Sequence, residues 1–137
     1  MQKTFTILKP DTVSAGKAGA VISELQKAGF QIRAMKMLHL SQAQAEGFYY
    51  VHKERPFFGS LVKFMTEGPI VAMVLEADNA IEKLRKTMGA TDPAKADAGT
   101  IRKLFGSNIE RNAIHGSDAP ETAAFEISYF FNRLEIV

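Results

Sequence analysis

Of the three histidines in this sequence, one stands where chemistry is easiest to arrange. His115 lies in the run Asn112-Ala113-Ile114-His115-Gly116-Ser117-Asp118, a short β-like stretch that ends in glycine. A histidine at a strand end, followed by glycine, faces an open edge where a ligand can approach closely. Imidazole is nucleophilic near neutral pH, so it can attack phosphorus directly and hold a phosphoryl group. Such a histidine needs a partner on its second ring nitrogen to fix the tautomer. Glu126 is the candidate. It falls among Ala123, Ile127 and Phe130 at helical spacing and leans toward the core side, where a carboxylate wants a partner. The other reading is that both are solvated surface groups, and the residue pattern alone leaves the two readings open.

A second set is cationic. Lys9, Lys53, Arg55, Arg85 and Arg102 fall near the ends of expected elements and in loops. Cations so placed can converge on polyanionic phosphate, although each taken singly reads as a solvated charge. Neither a Walker-type G-x-x-x-x-G-K-[ST] nor a kinase-type G-x-G-x-x-G occurs. His39 and His52 lie beside apolar stretches without metal-ligand spacing. Both read as structural, and no protein-built metal site is expected.

The elements that must position these groups follow from periodicity and punctuation. A β-rich segment, Lys3 to Leu8, stops at Lys9-Pro10-Asp11, because proline removes a ladder donor. Gly16 and Gly19 open a helix with Val21, Ile22, Leu25 and Ala28 at helical spacing, closed by Gly29. A strand follows over Phe30 to Leu40. Ser41 can cap a helix to about Val51, with Ala45, Phe48 and Tyr49 on one stripe, and Pro56 breaks it. Phe58, Leu61, Val62 and Met65 fit a second short helix. Gly68-Pro69 turns into the buried strand Ile70 to Leu75. Asp78 or Asn79 starts a helix carrying Ala80, Ile81, Leu84 and Met88. Residues 90–110 show no period. A structureless stretch that long in a compact domain is usually functional, and Ile101, Leu104 and Phe105 mark it as an ordered loop. Arg111 to His115 reads as a last strand. Asp118-Ala-Pro-Glu121 resembles a capping box before a helix with Ala123, Ala124, Ile127, Phe130 and Phe131 inward. Two βαβ-like halves in one short chain predict an α+β, ferredoxin-like sandwich: a four-stranded antiparallel sheet covered by helices.

Composition narrows the class. The chain has 137 residues, of which 46% are hydrophobic and 23% charged. That is the profile of one ordinary globular domain spanning residues 1–137. With no cysteine there is no disulfide, no thiolate metal site and no cysteine nucleophile. A net charge of +2 gives no strong field for nucleic acid or membrane, so neither is expected as the main partner. No apolar run approaches the ~18 residues of a membrane span. The N-terminal stretch Met1 to Asp11 lacks the apolar core of a secretion signal. A cytoplasmic location is expected.

Several blocks together carry a resemblance: Lys9-Pro10-Asp11, Met35-Lys36-Met37, Tyr49 through Arg55-Pro56-Phe57-Phe58, Gly68-Pro69 through Glu76, Gly89-Ala90-Thr91-Asp92-Pro93, Gly99-Thr100-Ile101-Arg102 and Arg111 through Asp118. In this order and register the sequence resembles the nucleoside diphosphate kinase family. The resemblance implies a γ-phosphoryl transfer from ATP to nucleoside diphosphates by a ping-pong route through phosphohistidine at His115. Glu126 would accept a hydrogen bond from the other ring nitrogen, with Ser117 bonded to Glu126 and Tyr49 beside the phosphohistidine. Lys9 and Asn112 would bind ribose hydroxyls, Lys9 also lying near the transferred phosphate. Arg85, Thr91 and Arg102 would hold the phosphates. Phe57 would stack on the base, flanked by Leu61 and Ile109. Mg²⁺ bound mainly to the nucleotide phosphates is implied, as is a homo-oligomer, tetramer or hexamer, held partly by the loop after Gly89. Lys103-Leu104, Glu110 and Thr12 depart from the family pattern. They bear on loop packing, nucleotide affinity and assembly without removing a catalytic group. A binding or regulatory protein on the same fold, for a nucleic acid or protein partner, is the alternative. The intact His115, Lys9, Arg85, Arg102, Asn112 and Glu126 argue against it.

Overall fold

The computed structural model describes every residue from Met1 to Val137. Its centre is β1 (Gln2–Leu8), which pairs antiparallel on both sides. One neighbour is β3 (Ile70–Ala77) and the other is β4 (Ile114–Gly116). The second strand, β2 (Gln31–Leu38), pairs antiparallel with β3 and forms an edge. The spatial order is therefore β2-β3-β1-β4. That is the antiparallel sheet of a ferredoxin-like α+β sandwich.

Side chains alternate across this sheet because successive Cβ atoms point to opposite faces. Phe5 and Ile7 on β1, with Ile70, Ala72 and Val74 on β3, belong to one core. Leu8, with Val71, Met73 and Leu75, belongs to the other. The first core is covered by α3 (Gln42–Phe48), α4 (Phe58–Met65) and α7 (Pro120–Phe130). The second is covered by α2 (Ala18–Lys27), α5 (Ala80–Met88) and α6 (Ile101–Phe105). Both faces of β3 are buried, which explains its unbroken apolar run.

Several expectations need correction. The chain does not merely stop at Lys9-Pro10-Asp11: Pro10–Ser14 forms a short helix, α1. Proline suits its first turn, where the missing N–H would have no partner. The helix expected to about Val51 ends at Phe48 and passes into a 3-10 turn, Tyr50–His52. Ser41 caps it as expected, in a reciprocal box with Gln44. The 90–110 stretch is not structureless, since it holds a 3-10 turn at Pro93–Lys95 and α6. The last strand is displaced from Arg111–His115 to Ile114–Gly116, because Ala113 has φ +76° and cannot extend the ladder. The helix after it starts from Ala119, whose N–H donates to Thr122 Oγ1 at 3.0 Å, so Glu121 plays no part in a box. On that helix Ala124 is exposed, not inward, while Ala123 and Phe130 are buried.

Candidate active site

β4 carries His115 opposite Ile7 of β1, so the imidazole emerges on the face covered by α3 and α7. There the rings of Phe48 and Phe5 meet it edge-on, with centroids 5.5 and 6.3 Å away. This apolar collar fixes the ring plane. Gly116 follows because a Cβ there would come within 2.9 Å of Leu84 and Met88. In the second turn of α7, Glu126 Oε1 lies 2.9 Å from His115 Nε2 and accepts the Ser117 hydroxyl at 2.6 Å. With the proton on Nε2 donated to this carboxylate, the lone pair stays on Nδ1. Nδ1 has no hydrogen-bond partner in the protein. Of the two readings of His115 and Glu126, the paired one is therefore the structure's.

His115 lines a cleft of about 390 Å³, a size typical of a small-molecule site. The other lining residues are Lys9, Tyr49, Phe57, Leu61, Thr91, Arg102, Ile109, Glu110 and Asn112. The cleft has two ends of different chemistry. Phe57 and Ile109 are large apolar side chains left 48% and 62% exposed, and with Leu61 they form an open mouth. Lys9, Arg102 and Asn112 are buried and polar.

Each buried polar group is held by a backbone that was shaped to hold it. Asn112, Ala113 and Ile114 form a γ-turn, closed by Ile114 N–H to Asn112 carbonyl at 2.9 Å. Its centre, Ala113, lies at positive φ, a strained form for an alanine. The start of α1 clamps it: the Lys9 N–H and the Thr12 hydroxyl both donate to the Ala113 carbonyl at 2.9 Å, and the Ala113 N–H donates to Asp11 Oδ2 at 3.1 Å. Asp11 stands in the Lys9-Pro10-Asp11 block and Thr12 among the departures from the family pattern, but their role as supports of this turn is not legible in the sequence, because their partner is about 100 residues away. The turn aims Asn112 inward, where its amide donates to the carbonyls of Thr91 and Ile109 and its Oδ1 accepts from Lys9 Nζ at 2.8 Å.

Arg102, on α6, donates from Nη1 to the Gly89 carbonyl and from Nη2 to the Ile114 carbonyl at 2.8 Å. These two acceptors hold the guanidinium rigid. Burial, reinforced by the neighbouring Arg102 cation, pulls the Lys9 ammonium down to about 8, against the smaller pull of Asp11 and Glu110. Burial, then the nearby charge of Arg85, lowers Arg102 to about 10. Both effects describe crowded, desolvated positive charge with no carboxylate salt bridge to Lys9 or Arg102. Tyr49 Oη and Arg102 Nε are buried without a protein partner. Burial and the nearby Glu126 push the Tyr49 phenol well above its ordinary value, so it remains a donor. Unpaired buried donors are costly, and an oxygen-rich anion in the cleft would satisfy them.

Not every expected group converges here. Arg85 is exposed and lines a separate cleft with Gln2, Asn79, Glu82, Lys86 and Asp118, although its charge reaches Arg102. Lys53 instead lies over the Tyr50 ring at 4.4 Å, and Arg55 is exposed outside the cleft. His39 bonds to the Thr66 carbonyl and His52 packs near Phe57, and neither lines the cleft. Nowhere do three or more His, Cys, Asp or Glu side chains gather as a metal cage, and no helix is long and apolar enough to cross a membrane.

Comparisons with known proteins point to one family. A family model described as nucleoside diphosphate kinase matches residues 2–136. A nucleoside diphosphate kinase of Trichlorobacter lovleyi is 60% identical over all of this chain and 99% of its own length. One from an Anaeromyxobacter species is 63% identical over 98% of this chain and 92% of its own. Among solved structures, the Aquifex aeolicus nucleoside diphosphate kinase superposes with a TM-score of 0.97 at 45% identity, covering 99% of both chains. The Halobacterium salinarum nucleoside diphosphate kinase, solved in complex with CDP, gives 0.95 at 38% identity over 99% of this chain and 91% of its own. The chain belongs to the nucleoside diphosphate kinase family.

Proposed function

We propose that this phosphotransferase moves the γ-phosphoryl of ATP to nucleoside diphosphates by way of Nδ1 of His115. The observation that carries the assignment is the pairing of Nε2 with Glu126 at 2.9 Å, which leaves Nδ1 as the free nitrogen of a ring that lines the cleft. In the first half-reaction the Nδ1 lone pair attacks the γ-phosphorus. An N–P bond forms, the bond from that phosphorus to the β-phosphate oxygen breaks, and the diphosphate leaves with that electron pair. In the second half a different diphosphate enters, its terminal oxygen attacks the phosphorus and the N–P bond breaks. Glu126 balances positive charge developing on the ring, and Ser117 holds Glu126 in place.

Lys9, Tyr49 and Arg102 lie where the unpaired donors and desolvated charge favour phosphate oxygens. Lys9 and Asn112 are assigned to ribose hydroxyls and Thr91 to the phosphates. Arg85 reaches those phosphates by swinging from its exposed site. Phe57 stacks on the base, with Leu61 and Ile109 beside it. Stacking reads any ring face, which suits one site serving many bases. A divalent cation, assigned as Mg²⁺, fits the donor set only as a companion of the nucleotide, since the chain builds no carboxylate cage. Bound there it neutralises phosphate charge. We assign the working form as a cytoplasmic homo-oligomer, tetramer or hexamer. The alternative of a binding protein on this fold has no structural feature in its favour.

Incubation with γ-labelled ATP should label the protein in an acid-labile, base-stable form that any added diphosphate discharges. An acid-stable label, or none, would overturn the proposal.

A further inference from the structure

Glu110 is the only acidic residue lining the cleft, and it stands at the apolar mouth between Ile109 and Arg111. Its backbone is pinned. The Glu110 N–H donates to Asn108 Oδ1 at 3.0 Å, and Lys9 Nζ approaches its carbonyl at 3.5 Å. Its side chain is half-buried. Oε2 accepts the hydroxyl of Ser60, on α4 beside Leu61, at 2.7 Å. Oε1 has no partner, and no lysine or arginine pairs with the carboxylate, since the adjacent Arg111 turns to Glu67 at 2.8 Å. The mouth thus holds a preset acceptor with one oxygen uncommitted, in a wall otherwise made of Phe57, Leu61 and Ile109.

We propose that Glu110 reads the outer edge of the base, accepting hydrogen bonds from ring and exocyclic N–H groups. Guanine is thereby favoured over hypoxanthine. The inference rests on the reading that this cleft binds nucleoside diphosphates with the base at the mouth. A base held there by its ribose side points its Watson–Crick edge outward. An ionised carboxylate only accepts, and guanine offers it two parallel donors, N1–H and an N2 hydrogen, one for Oε1 and one for the lone pair of Oε2 that the Ser60 hydroxyl leaves free. Hypoxanthine offers one donor. Cytosine offers its N4 amino group beside a bare N3, and uracil offers N3–H beside a carbonyl oxygen, so each pyrimidine presents one donor and one acceptor and the carboxylate does not separate them. The mouth is open to water, so the preference is modest and compatible with stacking on Phe57 as the shared term.

Dissociation constants measured by calorimetry for GDP, IDP, CDP and UDP test this without depending on phosphoryl transfer. The wild-type protein should bind GDP about three- to tenfold more tightly than IDP, and CDP and UDP about equally. In Glu110→Ala the GDP-to-IDP preference should fall to about one. In Ser60→Ala it should persist, because the hydroxyl is not the reader. Equal affinities for GDP and IDP in the wild type, or a preference unchanged in Glu110→Ala, would overturn the proposal. So would equal losses for all four ligands in both variants, which would make the Ser60–Glu110 bond a mere brace. A failure of His115 to take up phosphate would leave these ratios standing. Absence of all nucleotide binding would sink both readings.

Discussion

Lys9 keeps a positive charge where the protein disfavours one. Its ammonium is buried beside Arg102 and lowered to about 8, against an ordinary value of 10.5. If that charge binds nucleotide, kcat/KM should fall as pH rises through about 8, since that profile reports the free enzyme. A profile flat to pH 10 would show that the charge is not used. The stability sign follows from the same shift. Between about 8 and 10.5 the unfolded chain binds more protons at Lys9 than the folded one, so this residue's contribution to stability rises with pH across that window. The Tm difference between wild type and Lys9→Met should therefore move in favour of wild type from pH 8 to 10. At Glu126, replacement by glutamine keeps the shape and the Ser117 contact but removes the charge opposite His115 Nε2. Phosphorylation by ATP should slow by roughly a hundredfold with nucleotide affinity nearly unchanged. Loss of affinity with an unchanged rate would mean that Glu126 does not orient the ring. The sequence offered both candidates, His115 at a strand end and Glu126 on an inward helical position, but left open whether they pair or are solvated. It could not show which ring nitrogen is engaged, because that depends on where α7 lands against β4. Nor could it show that Arg102 spends two of its nitrogens on carbonyls, or that Ser60 meets Glu110, fifty residues apart in sequence.

At the scale of elements, helical spacing located α2, α4 and α5 well, because each buries a continuous face, and an unbroken apolar run located β3, because it buries both. The misplacements cluster where position is set by partners distant in sequence. α1 is five residues long, too short to show a period, and β4 begins only after the γ-turn that Asp11 and Thr12 clamp. The 90–110 stretch has no single period because it is a cap, a 3-10 turn and a one-turn helix in succession. Pro93 is the buried N1 residue of that 3-10 turn, behind the cap from Asp92 Oδ1 to the Ala94 N–H. It lies against Gly106, where an added Cβ would come within 2.7 Å of its ring. Pro93→Ser should free the unfolded chain and loosen this stretch, lowering stability by about 1 kcal/mol, or about 4 °C in Tm. Catalytic side chains stay in place, so activity per folded subunit should remain near normal. An unchanged urea midpoint would show that the proline does not stiffen the loop.

The whole molecule leaves apolar surface uncovered. Met35 and Met37 on the edge strand β2 are 54% and 62% exposed, and Leu104 and Phe125 are about half exposed. This edge, met only by the Val137 N–H at the Arg33 carbonyl, invites pairing, and the tetramer or hexamer proposed above should show at least four subunits by light scattering at micromolar concentration. A wild-type monomer would contradict this, and Pro93→Ser should dissociate at lower urea. One chemical claim nevertheless underlies the entire cycle: a single imidazole nitrogen carries the phosphoryl group between two nucleotides. The chain has only three histidines, and two of them, His39 and His52, lie outside the cleft. Phosphorus–nitrogen NMR on ¹⁵N-histidine-labelled protein, charged with ATP and freed of nucleotide, identifies the bonded atom directly. One phosphohistidine per chain is expected, bonded through Nδ1 of His115 and absent from His115→Ala. A phosphorus on Nε2, or on His39 or His52, would contradict it.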